Sequence, residues 1–133
     1  MAANSNATGD QLVRVEIIIN MDRMTPLIKR LYKEGMYTGV TVFQAMGCGV
    51  EKGSFEFEDD AAAKPEEFQL LPKTVVVIVC KKSEMKKLIE IVKLELYSGH
   101  IGDGKIFVSD IENAIRVRTG EEGLAAMLPS QVV

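Results

Sequence analysis

The sequence predicts an α+β fold in which two β-α-β units contribute to one sheet. Three observations predict it. Val13–Asn20 and Thr74–Cys80 are β-branched runs of strand length, and each is followed by apolar residues at helical spacing. Between the two units, from Val50 to Pro72, apolar periodicity disappears. At 133 residues the chain fits one domain, able to bury about two-thirds of its unfolded surface in a single core.

Residues 1–12 are small and polar, too poor in apolar groups to offset the entropy of ordering, and read as a flexible leader. The domain then spans 13–124, with 125–133 as a C-terminal tail. Val13–Asn20 alternates and then runs Ile17-Ile18-Ile19, the signature of a strand covered on at least one face. Thr25-Pro26 predicts a helix start, since threonine caps free N–H groups and proline suits the first helical turn. Leu27, Ile28, Leu31 and Tyr32 recur at helical spacing up to a stop at Gly35. A second strand is predicted over Tyr37–Met46, with Val40 and Val42 on one side and Thr41 and Phe43 on the other.

After Gly47-Cys48-Gly49 comes the aperiodic stretch, acidic and alanine-rich from Glu56 to Glu67 and broken by Pro65. A connection of that length inside a small domain is uncommon and is usually functional or disordered, which singles out 50–72. Thr74–Cys80 is the clearest strand. Ser83 is predicted to open a helix whose Met85, Leu88, Ile89, Val92 and Leu96 form an apolar stripe ending near Gly99. A turn at Gly102-Asp103-Gly104, a strand over Lys105–Ser109 and a short further strand over Ile115–Arg118 complete the chain. The order βαββαβ predicts a ferredoxin-like sandwich with both helices on one face of an antiparallel sheet. The other face would be bare and apolar, so a symmetric oligomer is expected.

Composition narrows the function. Hydrophobic residues make up 47% and charged residues 26%, an ordinary globular balance. A net charge of −3 and a pI of 5.2 argue against nucleic acid as a partner, whose phosphates demand a basic surface. The first ten residues lack the basic start and apolar centre of a signal peptide, and no run approaches a membrane span, so a cytoplasmic protein without direct membrane insertion is expected. Cys48 and Cys80 have neither a redox nor a zinc spacing.

The chemistry concentrates near the C-terminus. Gly99-His100-Ile101-Gly102-Asp103-Gly104-Lys105 places glycines and a lysine between a helix and a strand. Glycines let main-chain N–H groups approach an anion, and the lysine adds a point charge. The residues alone leave a phosphate cradle and a plain turn both open. Arg116 and Arg118, alternating on the predicted short strand, would point one way and could clamp a polyphosphate or could simply be a solvated edge. His100 is the sole histidine, and no nucleophile, base pair of carboxylates or metal spacing stands out, which argues against catalysis.

Five segments carry a resemblance. Thr38–Val42, Gly47–Gly53, Leu71–Lys73, Gly99–Val108 and Ile115–Glu121 resemble, in order, the PII signal-transduction family. The resemblance implies a ferredoxin-like homotrimer binding ATP or ADP, with Mg2+ as an admissible companion, in clefts between subunits. It implies that Gly102, Asp103, Gly104 and Lys105 together with Arg116 and Arg118 form the phosphate site. Ile18, Thr41 and Val79 would line the adenine pocket, and Gly47 and Gly49 would lie near the sugar and phosphates. The partner implied is a transporter or metabolic enzyme, nitrogen-related, contacted through the 50–72 loop.

Departures from the family pattern are equally specific. The glutamine by which family members bind magnesium and 2-oxoglutarate is Glu51 here, a carboxylate that would repel an oxoacid. Val50 replaces a polar residue, and 50–72 contains no tyrosine for nucleotidylation. A divergent regulator without 2-oxoglutarate sensing is therefore expected. Its rivals are a full PII protein binding Mg-ATP with 2-oxoglutarate, a small nucleotide-hydrolysing enzyme, and a nucleotide-free structural or metal-tolerance trimer.

Overall fold

The structure is a computed structural model that describes residues 11–36, 38–48 and 69–130. The leader up to residue 10, Gly49, Val50, Glu51 and most of the 50–72 stretch lie outside the described residues. Four strands, β1 (Leu12–Ile19), β2 (Val40–Gly47), β3 (Leu71–Lys81) and β4 (Lys105–Ile111), form one sheet in the order β2-β3-β1-β4. Every neighbouring pair is antiparallel. Helices α1 (Met24–Lys33) and α2 (Lys82–Leu96) complete the predicted βαββαβ order.

Alternation along β1 sets the layers. Val13, Val15, Ile17 and Ile19 are buried together with Leu27 and Leu31 of α1 and Leu88, Ile91, Val92 and Leu96 of α2. Arg14, Glu16 and Ile18 point to the opposite face and are only half-buried. Each fully buried leucine or isoleucine contributes about 1.5–3 kcal/mol of transfer free energy. β3 is a continuous apolar run because it lies inside the sheet: Val76, Ile78 and Cys80 join the helix-side core, while Val75 and Val77 are buried on the other side.

Local details differ from the sequence expectation. Thr25 does not cap α1: the chain enters through a 3-10 turn at Met21–Arg23, and the helix starts at Met24. α2 starts at Lys82, one residue before Ser83, and its buried stripe includes Ile91 where the residue pattern points to Ile89. β3 begins at Leu71, so Pro72 lies within it, opposite Met46 of the edge strand β2. The short strand over Ile115–Arg118 is absent; only an isolated bridge, Ile115 to Glu122, is formed. A 3-10 helix at Gly123–Met127 follows and packs against β3.

Candidate functional site

The glycine loop between α2 and β4 is held from inside. Gly99, Gly102 and Gly104 all have positive φ, at 85°, 100° and 123°. At Gly104 the requirement is steric as well: an added Cβ would lie 2.9 Å from the Ile18 carbonyl oxygen and 3.2 Å from Ile19 Cγ2. The loop thus rests on the end of β1, with a closeness only glycine permits. The Asp103 carboxylate turns inward. Oδ2 accepts hydrogen bonds from the N–H of Ser98 (2.7 Å) and of Gly99 (3.0 Å), and Oδ1 accepts the Ser98 hydroxyl.

Those bonds favour the ionised form. The Ser98 hydroxyl first, then the Ser98 and Gly99 amides and the Arg23 charge, hold the Asp103 carboxyl below its ordinary value. With the Ser98 hydroxyl donating to Asp103, its oxygen accepts from the His100 amide at 3.3 Å, and the His100 ring Nδ1 lies 3.3 Å from the same oxygen. Arg23 anchors the other side of the loop by donating to the Glu95 and Leu96 carbonyls at the end of α2, both at 3.1 Å. The N–H groups of Ile101 and Gly102 meet no acceptor among the described residues. Such free amides beside a lysine suit an anion.

The remaining candidates distribute over the sheet face opposite the helices. Ile18 pairs with both Val75 and Lys105, so Ile18 and Lys105 are brought together at one end of the sheet. Thr41 pairs with Val77, and Val79 lies two residues further along the same face. Gly47 is the last residue of β2, opposite Leu71; a Cβ there would make only ordinary contact with Lys73 Cγ at 3.5 Å.

Arg116 and Arg118 require correction of the strand argument. The Gly120 amide donates to the Arg116 carbonyl at 2.7 Å, and the Arg116 amide donates to the Glu121 carbonyl at 2.9 Å, closing a tight turn over Val117–Thr119. Alternation on a strand therefore does not place the two guanidinium groups on one face. The Arg116 guanidinium pairs with Glu121 and donates to the carbonyls of Ala126 (3.1 Å) and Leu128. Arg118 is exposed and makes no ion pair among the described residues. β4 begins with Lys105 beside Ile18 and ends with Ile111 beside Leu12. The glycine loop and the arginine segment consequently leave opposite ends of the same strand, and no hydrogen bond joins them among the described residues.

Three polar residues beyond the sequence candidates support the sheet, Ser98 and Asn20 at the glycine-loop end and Thr38 at the other. Ser98 organises the loop through Asp103, and a serine five positions before an aspartate in a glycine-rich segment was the available signal. Thr38 Oγ1 donates to the Val79 carbonyl at 2.7 Å. Asn20, the polar residue that ends an apolar strand, touches both Lys73 and Gly102.

Comparison with known proteins decides the lineage. The family model described as nitrogen regulatory protein P-II matches residues 12–121. The chain belongs to the P-II family. Among P-II relatives, the nitrogen regulatory protein P-II of Bradyrhizobium diazoefficiens is 38% identical over 114 residues, covering 86% of this chain and 98% of that protein. The one of Azospirillum brasilense is 34% identical over 110 residues, with 83% and 95% covered. Two solved P-II structures share the fold. Arabidopsis thaliana PII bound to citrate superposes with a TM-score of 0.69 at 31% identity, covering 92% of this chain and 99% of that one. The B. subtilis GlnK-ATP complex gives 0.68 at 30% identity, with 87% and 97% covered. P-II membership makes the chain a signal-transduction protein of nitrogen regulation and not an enzyme. Among the described residues no helix is long and apolar enough to cross a membrane.

Proposed function

We propose that this P-II protein is a cytoplasmic homotrimer that binds ATP or ADP in the clefts between its subunits and controls a transporter or metabolic enzyme through residues 50–72. The observation that carries the reading is the glycine loop. Three positive-φ glycines, an inward-facing Asp103 and the steric fit of Gly104 on β1 present free amides and Lys105 to an anion. Similarity to a GlnK-ATP complex supports the same ligand. The opposite placement of the arginine segment supports a site completed by a neighbour: Gly102, Gly104 and Lys105 come from one subunit, Arg118 and Arg116 from the next.

Phe43 and Phe107, half-exposed on the face opposite the helices, supply apolar surface for that assembly. Ile18, Thr41 and Val79 then serve the adenine ring, with Gly47 and Gly49 beside the ribose; Mg2+ would accompany the phosphates. Glu51 in place of the family's glutamine supports a site without 2-oxoglutarate. Calorimetry tests the nucleotide and oxoacid parts of this reading. ATP and ADP should each bind at one site per subunit, and millimolar 2-oxoglutarate with Mg2+ should leave ATP affinity unchanged. Tightening by the oxoacid would establish the full PII reading instead, and steady nucleotide turnover would contradict the regulatory one.

A further inference from the structure

Asn20 joins two parts of the molecule that the proposed function requires to communicate. Its side-chain oxygen accepts a hydrogen bond from Lys73 Nζ at 2.9 Å, and its side-chain nitrogen donates to the Gly102 carbonyl at 3.5 Å. Gly102 belongs to the glycine loop. Lys73 belongs to the opening of β3, paired with Ala45 two residues before the end of β2, and its Cγ lies 3.5 Å from where a Gly47 Cβ would be. The Lys73 stem therefore lies against Gly47, and one amide side chain connects the anion-facing loop to both strand ends that frame the 50–72 segment.

The two bonds differ in a useful way. The Lys73 bond is short and charge-assisted, and so holds the oxygen end of Asn20. The Gly102 bond is at the limit of hydrogen-bond length, where a shift of a few tenths of an ångström makes or breaks it. The loop cannot give way toward β1, because Gly104 already meets Ile18 and Ile19 with no room for a Cβ. Motion of the Gly102 peptide toward or away from an anion would therefore lengthen or shorten the Asn20 bond. We propose that Asn20 is a positioning residue that transmits the phosphate state of the glycine loop to the β2 and β3 ends through Lys73. This rests on the nucleotide reading given above. The charged group that touches Asn20 is Lys73.

Hydrogen exchange by mass spectrometry on the intact protein tests the relay. In the wild type, peptides covering 43–48 and 69–74 should exchange at rates differing about fivefold between the ATP-bound and ADP-bound states, a modest coupling. In Asn20→Ala that difference should fall at least to about a third, while calorimetric affinities for both nucleotides stay within about threefold, because the phosphate ligands are intact. Lys73→Met should lose the same difference, and the double variant should lose no more than either alone, as members of one path do. Asn20→Asp keeps the acceptor for Lys73 but not the donor to Gly102, and should also be uncoupled. A wild-type response in Asn20→Ala overturns the relay and leaves nucleotide binding standing. Absence of nucleotide binding by the wild type overturns the functional reading and the relay with it.

Discussion

Gly104→Ala is the substitution whose cost can be worked most directly from the structure. The residue sits at φ +123°, and the new methyl group would lie 2.9 Å from a main-chain oxygen of β1 that cannot rotate away. The backbone conformation alone costs a residue with a side chain about 1–3 kcal/mol. Overlap with the Ile18 carbonyl and with Ile19 Cγ2, a group in the core cluster, adds about 1–3 kcal/mol, since either β1 or the loop must shift. Gly35→Ala separates the two contributions. Gly35 has φ +78° but nothing within 4 Å of where its new methyl group would lie, so the substitution should cost only about 1–2 kcal/mol. Urea unfolding followed by circular dichroism, at one protein concentration for all variants, should place the Gly104→Ala midpoint about 1 M below that of Gly35→Ala. Equal midpoints would refute the claim that the loop is seated against β1.

Arg118→Ala should weaken ATP and ADP binding about tenfold, with an unchanged urea midpoint, because the side chain is exposed, makes no ion pair among the described residues, and would make its charge-assisted bonds to the ligand in the proposed site. Arg116→Ala should weaken binding and also cost about 1–3 kcal/mol of stability, since the largely buried Glu121 carboxylate loses its bond to the Arg116 guanidinium; full affinity in both variants would remove the arginines from the site. Native protein at neutral pH should label with maleimide at Cys48 only. Burial, with the Glu84 charge second, pushes the Cys80 thiol up to about 11, so its protonated form stabilises the fold fully below about pH 9 and that contribution is lost as pH rises toward 11. Labelling of both thiols without unfolding would contradict this. For Asp103 the sign is opposite: its depressed value means that the loop's bonds persist above the ordinary carboxylate pKa and fail only as pH falls through the lower folded value. The Ser98 and Gly99 amide resonances should move with a titration midpoint below that of an ordinary aspartate, and a midpoint at or above the ordinary value would show that Asp103 is not their acceptor.

Much of the fold was legible because burial and composition agree where elements are internal. Thr74–Cys80 is β-branched throughout most of its length since β3 is covered on both sides, and Leu27, Leu31, Leu88, Val92 and Leu96 repeat at the helical period because one stripe of each helix meets the sheet. Boundaries were less legible. Thr25-Pro26 looks like a cap, but the Arg23 amide bonds back to Asn20 and starts a 3-10 turn earlier, which a residue pattern does not encode. The glycine loop was recognisable by its glycines, whereas the inward turn of Asp103 depends on Ser98 and on the geometry of the α2 end. The arginine segment failed as a strand because residues just beyond it intervene: Glu121 and the following carbonyls recruit Arg116, and Gly120 at φ +79° closes the turn.

The attachment of the glycine loop and the arginine segment to opposite ends of β4 has a genetic consequence. On the proposed cyclic arrangement, a protein with a damaged loop and a protein with both arginines removed are each inactive alone, yet each still carries the half that the other lacks. Co-expressed, their subunits form mixed rings in which one junction receives a sound loop from one allele and sound arginines from the other. Random mixing in equal amounts restores about a quarter of all sites, because each junction draws its two halves independently. Two null alleles would therefore complement one another within a single gene, and a dominant-negative effect of either would spread to the junctions of its neighbours in proportion to its dose.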